Sequence, residues 1–328
     1  HREVITGKVE LSDCILSGSI SQLKTICEKL KFQPLKLSSL AEEIKNLLFE
    51  KYSPVIIRDT VFNWERPYIM GILNITPDSF SDGGEFNSIE KAENRFKQMQ
   101  QEGADIIDIG GESTRPFAKK ITADEEITRV IPVIRHIRSF DSSTIISIDT
   151  RNSQTAQKAI EAGADIINDI SAFDWDEKMT DTVKDNDCPI ILNHSKGTPE
   201  IMQNNTLYND VVDDIYDYLQ RKIDLLIEKG IDPAKIIIDP GIGFGKTTQQ
   251  NFEIINRLQE FKTLGCPILV GHSRKNFLKE TIGSDNNEEL DTATLTVSQK
   301  AIENSANIIR VHNVKPHRIL LDVMQSFS

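Results

Sequence analysis

The sequence predicts an α/β protein, a (β/α)8 TIM barrel with a small N-terminal α/β extension. Three observations predict it. From about residue 68 onward, eight short apolar runs alternate with longer amphipathic stretches. Each run is apolar along its length, as parallel strands buried on both faces must be. Each also ends in a polar or charged residue, at the strand end where such barrels carry their sites. A length of 328 residues exceeds the roughly 250 of one barrel and leaves room for the extension.

Taken in chain order, residues 1–62 stand outside the rhythm. Segments 21–30 and 38–50 read as helices, the second opened by Ser38 and Ser39 with Glu42 following as in a capping box. Segment 54–59 reads as a strand leading into the barrel. The extension is expected to be an accessory element or the remnant of a fused domain, with residues 63–328 forming the barrel. The strand runs are 68–75, 104–112, 144–150, 164–171, 189–195, 235–241, 267–273 and 306–312. Helical patterns lie between them at 88–101, 124–138, 153–162, 211–228 and 292–304. Three strands are announced by one phrase: Gly103-Ala104-Asp105, Gly163-Ala164-Asp165 and the looser Ser305-Ala306-Asn307. A small residue ends the helix and the chain turns straight into the next strand.

Composition narrows the function. Hydrophobic residues make up 38% and charged residues 27%, with a net charge of −12. An acidic chain offers no general surface for nucleic acid, although a local cation cluster can still hold an anionic ligand. Cys14, Cys27, Cys188 and Cys266 show neither CxxC pairing nor metal spacing. Buried thiols in a reducing, cytoplasmic-type compartment are expected. No apolar run approaches the eighteen or so residues of a membrane span. The first residue is His1, as in a processed chain or an excised part of a longer one; a removed targeting peptide would make the location organellar.

The strand ends supply the chemistry. Asn74 ends the first run, where its amide can coordinate a hard cation or hold a phosphate. The small polar loop after it carries one aromatic, Phe80, and suits a lid. The second loop, Asp108 to Pro116, offers glycines for close backbone approach and Ser113, Thr114 and Arg115 as oxyanion donors; the bland reading is a turn with Arg115 paired to Glu112. Asp149, Asn168 and Asp239 lie within or just after buried runs, where an unpaired charge costs several kcal/mol. A metal, a heterocycle rich in N–H donors, or internal pairing with Lys275 or Arg310 would each answer that cost. Histidines at ligand spacing are missing, and an amidine-like N–H edge on a heterocycle fits a carboxylate bidentately. The run Asp239 to Lys246 fails as a phosphate loop, because Pro240 stands where the first glycine is required; its Phe244 suits an aromatic ligand. His272, Arg274, Lys275, Arg310 and His312 bring cations to two strand ends, with Arg310 and His312 on one side of their strand. His194 reads as a general base or as a loop-orienting residue, the second preferred.

The strings MGILNITPDSFSDGG at 70–84 and GGESTRP at 110–116 resemble the signature loops of dihydropteroate synthases, a pterin-binding TIM-barrel family. The resemblance covers about residues 60–325, with motifs at all eight strand ends in order. It implies condensation of (7,8-dihydropterin-6-yl)methyl diphosphate with p-aminobenzoate to 7,8-dihydropteroate. It implies pterin contacts from Asp149, Asn168, Asp239 and Lys275, and a diphosphate grip from Thr114, Arg310 and His312. It also implies Mg2+ near Asn74 and Asp82, and a p-aminobenzoate site of Phe80, Arg115, Pro116, Phe244 and Asn276. Lys275, Arg310, His312 and Arg115 are the expected catalytic groups. A homodimer, and fusion to or association with another folate-pathway enzyme, are the implied partners. Phe117 and Asn276 depart from the family's usual Gly and Ser, which puts p-aminobenzoate affinity and sulfonamide sensitivity in question. Ser195 and Asn313 are departures of small expected effect. Rival readings are a methyltetrahydrofolate-dependent corrinoid methyltransferase, which needs no diphosphate grip, and a non-catalytic pterin-binding relative.

Overall fold

The computed structural model describes residues 15–33, 37–48, 52–75, 84–112, 121–197 and 206–327, with backbone alone for 84–88. The chain divides into two compact units, His1–Glu50 and Lys51–Ser328. In the first, helix α1 (Ile20–Leu30) starts at a capping box. Gln22 N–H donates to Ser19 Oγ at 3.3 Å, and the Gln22 side chain accepts from Ser19 N–H at 2.8 Å. Helix α2 (Leu37–Leu48) begins one residue before the expected Ser38 and Ser39, which therefore lie in its first turn and do not cap it. Among the described residues, Cys27 of α1 and Ala41 of α2 are the buried side chains of this unit, and Glu28 pairs with Lys31 and Lys45.

The unit boundary falls earlier than the one expected at residue 62, and the reason is a hairpin. Strands β1 (Val55–Ile57) and β2 (Thr60–Phe62) pair antiparallel where a single strand was expected. Their buried side chains, Val55, Ile57 and Phe62, join Trp64 and Tyr68 in one apolar cluster with the barrel interior. Phe62 and Tyr68 pack as tilted rings with centroids 4.6 Å apart, and Trp64 donates its indole N–H to Ser53 O at 3.0 Å. The hairpin thus plugs the barrel's base.

The barrel follows as β3 (Tyr68–Asn74), α3 (Gly84–Gln101), β4 (Ile106–Gly110), α4 (Ala123–Phe140), β5 (Ile145–Asp149), α5 (Ser153–Ala162) and β6 (Ile166–Asp169). It continues with α6 (Lys178–Asn186), β7 (Ile190–Asn193), α7 (Val211–Glu228), β8 (Ile236–Asp239), α8 (Thr248–Asn256) and β9 (Leu269–Val270). Helices α9 (Asn276–Ile282) and α10 (Asn287–Glu303), strand β10 (Ile308–Val311) and helix α11 (Val314–Gln325) complete it. The sheet runs β8-β7-β6-β5-β4-β3-β10-β9, and a parallel bridge between Ile238 and Ile268 closes it. Helices α6, α8, α9 and α11 lie outside the five helical patterns read in the sequence; the short α6, KMTDTVKDN, buries only Met179, Thr180 and Val183, too little for an apolar stripe.

Alternation along the strands builds the interior. Met70, Ile106, Ile145, Ile166, Ile191, Ile237, Leu269 and Ile308, one from each strand, fill the base layer with the hairpin. Their neighbours in sequence, such as Ile107, Ile146, Ile167, Ile190, Ile236 and Ile309, face the helices in a separate, larger core. The side-chain period of two therefore places the next inward layer two residues further along each strand. That layer is Ile72, Asp108, Ser147, Asn168, Asn193, Asp239, Gly271 and Arg310, of which only Ile72 carries an apolar side chain. The apolar base supplies the packing energy, so the layer above it can be polar.

The repeated phrase fastens the base. Gly103 and Gly163 adopt φ of +92° and +112° to turn each helix into its strand. Asp105 then accepts the N–H of Ile69 at 2.8 Å, and Asp165 that of Ile146 at 2.8 Å. Asn307 repeats the contact to Ile268 N–H at 2.9 Å. Among the described residues, Cys27, Cys188 and Cys266 are buried thiols without a disulfide, and no helix is long and apolar enough to cross a membrane.

Candidate active site

At the barrel mouth, two carboxylates converge on one guanidinium. Arg310 donates from Nε to Asp108 Oδ2 and from Nη2 to Asp149 Oδ2, each at 2.6 Å. Asn168, beside Asp149 in register, donates Nδ2–H to Asp108 Oδ2 at 3.1 Å. Asp108 Oδ1, Ser147 Oγ and Asn193 Oδ1 are buried with no hydrogen-bond partner among the described residues. Burial raises the Asp149 carboxyl above its ordinary value; Arg310 opposes that rise and Asp108 adds to it. Burial works against the Arg310 charge, yet Asp108 and Asp149 outweigh it and hold its pKa up. Internal pairing, one of the readings open for Asp149, is thus present in part: one arginine serves two carboxylates, and acceptor oxygens remain over.

The other half of the mouth is built by the loop after β8. Asp239 is buried and accepts Gly241 N–H at 2.7 Å, while Asn193 Nδ2 lies 3.4 Å from its other oxygen. Burial raises its carboxyl, with Lys275 pulling the other way. Lys275 sits opposite, its ammonium 4.1 Å from the Phe244 ring centroid and donating to Ile242 O. Burial lowers the Lys275 pKa to about 7 against the pull of Asp239. Phe244 packs with Ile170 and Trp175, so it lines the mouth and is not an exposed tip.

Lys246, passed over in the sequence once the phosphate loop failed, braces this loop. Its buried ammonium reaches Gly241 O at 2.7 Å, Phe244 O at 3.0 Å and His194 Nδ1 at 3.0 Å, with His194 O further off at 3.5 Å, so its three protons are all engaged. His194 is correspondingly loop-orienting. Burial and Lys246 together hold its pKa far below the usual imidazole range, and its ring meets Tyr218 edge-on at 4.9 Å.

Above the polar layer come Asn74, Gly110, Asp149, Ser273 and His312. A Cβ on Gly110 would stand 3.4 Å from Asp149 Cβ and 3.6 Å from Asn74 Oδ1. The lack of a side chain there keeps the approach to Asp149 open. His312 shares a hydrogen bond with Ser273 Oγ through Nδ1 at 3.0 Å. Two expected mouth cations lie elsewhere. His272 turns outward to Ser298 Oγ at 2.8 Å, and Arg274 pairs with Asp291 at 2.7 and 2.8 Å. Glu112 is held by Arg151 at 2.7 Å, whose guanidinium stacks 4.3 Å from the Trp175 ring centroid. Asn276 is exposed at the first turn of α9. Phe80, Asp82, Thr114, Arg115, Pro116 and Phe117 lie outside the described residues, as does Cys14.

The structure therefore brings Asp149, Asn168, Asp239, Lys275, Phe244 and Arg310 into one barrel mouth. Sequence reasoning missed Asp108, Ser147 and Asn193 as members of the polar layer. Counting two residues on from the apolar base layer identifies all three.

A family profile described as pterin binding enzyme matches residues 70–312. A dihydropteroate synthase of Synechocystis is 44% identical over 80% of this chain and 91% of its own length. A probable bifunctional folylpolyglutamate synthase/dihydropteroate synthase of Haloferax volcanii is 38% identical over 93% of this chain, which spans 37% of that longer protein. Among solved structures, Xanthomonas albilineans dihydropteroate synthase with 4-aminobenzoic acid aligns with a TM-score of 0.78 at 35% identity, over 84% of this chain and 98% of that one.

Proposed function

The chain belongs to the pterin-binding enzymes, and from that membership we infer that it is a dihydropteroate synthase, a transferase of folate biosynthesis. It joins (7,8-dihydropterin-6-yl)methyl diphosphate to p-aminobenzoate. A bond forms from the amine nitrogen to the pterin methylene, the bond from that carbon to the diphosphate oxygen breaks, and the amine gives up a proton.

The observation that carries the reading is the polar layer above an apolar base. Its surplus is in acceptors, namely Asp149, Asp239, Asp108 Oδ1 and Asn193 Oδ1, with Lys275 as the donor opposite. The pterin ring presents the complement: N–H groups along its pyrimidine edge and acceptors at its oxo group and ring nitrogens. Asp149, Asn168 and Asp239 would take the N–H edge, and Lys275 the acceptor side. Desolvation strengthens such pairs and penalises a ring that lacks them.

The amine is a weak nucleophile, so leaving-group stabilisation matters more than a strong base. Arg310 would serve through Nη1, which neither carboxylate bond uses, together with His312 and Thr114. Mg2+ would be held by Asn74 and Asp82 and would neutralise charge on the departing diphosphate. One described amide oxygen suits this ion, which usually keeps waters and substrate phosphates among its ligands. The p-aminobenzoate ring would lie against Phe244 with Phe80, Arg115, Pro116 and Asn276. We further propose a homodimer. The match to the bifunctional relative leaves only 7% of the chain outside it, so most of residues 1–62 fall within it, which supports reading them as part of a fusion.

The test is direct. The protein is incubated with the pterin diphosphate, p-aminobenzoate and Mg2+, and diphosphate release is followed. Release that requires p-aminobenzoate is expected; release indifferent to it, or none, would refute the reading.

A further inference from the structure

On the outer side of His312 a polar cleft of about 370 Å3 opens between β3, α3 and β10, lined by Ile72, Arg95, Gln98, Arg274, His312 and Asn313. Ile72 holds an inward position of β3, and His312 follows β10 two residues after the inward Arg310. Arg95 and Gln98 come from helix α3 outside the barrel wall. The cleft joins the two sides.

Its charge is lopsided. Asp291 is consumed by the two bonds from Arg274 and a third, at 3.0 Å, from Asn313 Nδ2. Arg95 donates to His312 O and has no carboxylate within ion-pair distance among the described residues; Glu102, just past the end of α3, and Asp291 act on it only from further off. Glu102 is itself engaged by Gln98 Nε2 at 2.7 Å. A half-buried guanidinium facing a cavity and bonded to one neutral carbonyl suits an oxyanion with several acceptor oxygens.

We propose that this cleft is a second anion site, which receives the diphosphate on its way out after the bond to the pterin has broken. The proposal rests on the dihydropteroate synthase reading for the identity of the anion. It assigns Arg95 a role in product release that is separate from the grip at the reacting carbon. No proton is moved and no bond made in the cleft; it lowers the cost of withdrawing a multiply charged product from the mouth.

The experiment uses the full chain and inorganic diphosphate, first as a product inhibitor and then as a calorimetric titrant. Arg95→Gln is expected to weaken diphosphate binding about tenfold, the loss for one charge-assisted contact, with the KM for the pterin diphosphate changed less than about twofold. Arg95 also touches His312, so Gln98→Glu serves as the second variant. It adds a repelling charge to the exposed wall without altering that contact, and should weaken diphosphate in the same direction. Orthophosphate in parallel distinguishes a diphosphate site from a general anion cleft: equal weakening of both by the variants would overturn the assignment to product. Parent-like diphosphate inhibition in both variants would overturn the site itself. If the parent forms no dihydropteroate, the enzyme assignment fails, and diphosphate titration still decides the cleft.

Discussion

The two ends of the barrel use the same residue types in opposite proportion. At the base, each carboxylate is shared by two arginines. Asp105 meets Arg66 and Arg318, both at 2.7 Å, and Asp165 meets Arg58 at 2.6 Å and Arg138 at 2.7 Å. Each also takes a backbone N–H from the neighbouring strand. At the mouth one arginine, Arg310, serves Asp108 and Asp149, and buried oxygens are left without donors among the described residues. The base is electrostatically closed and its charges hold the fold. Among the described residues the mouth is short of donors, as a surface must be that waits for a ligand to bring them.

The largest expected effect breaks the comparison at the mouth. Arg310→Ala should lower turnover about 100- to 1000-fold, the range for losing a donor to developing negative charge. It should also cost about 3–5 kcal/mol of stability, because two buried carboxylates lose their cation. Adding Asp108→Asn should return part of that stability and none of the turnover. Urea unfolding and steady-state rates on the single and double variants decide it; turnover within tenfold of the parent would contradict the role.

At the base the prediction inverts. Asp165→Ala should cost about 3 kcal/mol, since Arg58, Arg138 and the Ile146 N–H all lose their acceptor. The surviving folded protein should keep kcat/KM within about twofold. A comparable loss of activity at a temperature where the variant is fully folded would mean the two ends are not independent.

The smallest effect concerns protons. Lys275 has a folded pKa of about 7, below its ordinary 10.5. Between those values the unfolded chain holds more protons than the folded one, so this group's contribution to stability falls as the pH drops toward 7. A pterin that engages the ammonium should tighten as pH falls through that window and level off below it. Near pH 7 binding should take up about half a proton. Calorimetry in two buffers of different ionisation enthalpy measures the uptake; no buffer dependence would separate Lys275 from pterin recognition.

Much of this contrast was legible in the sequence, because it follows from period-two alternation. The eight apolar runs, the glycine-led turns before Asp105 and Asp165, and the polar ends at Asp149, Asn168, Asp239 and Arg310 all lie where the pattern puts them. Two kinds of feature were not legible. The first is pairing across the barrel. Arg310 lies 202 residues from Asp108, and, although alternation sends His272 outward, nothing local marks that Arg274 turns outward while Lys275 turns in. The second is the hairpin, which looked like part of the extension because 55–62 is too short to show which core its residues join. Lys246 belongs to the first kind, since its acceptors exist only once the loop has folded around it.

Asp239 offers the most direct test of the claim that the mouth trades stability for pterin recognition. Its carboxyl is raised by burial. The folded protein therefore holds its proton longer than the unfolded chain, and stability is lost as pH rises from the ordinary value of 3.8 through the folded one. Asp239→Asn removes that loss and still accepts the Gly241 N–H. Thermal unfolding from pH 4 to 7, paired with pterin titration at pH 7, provides the measurement. The variant should be more stable by about 1 kcal/mol at pH 7, with the gain vanishing toward pH 4, and should bind pterin about 100-fold more weakly. A variant less stable than the parent at pH 7, or one that binds pterin equally well, would contradict the claim.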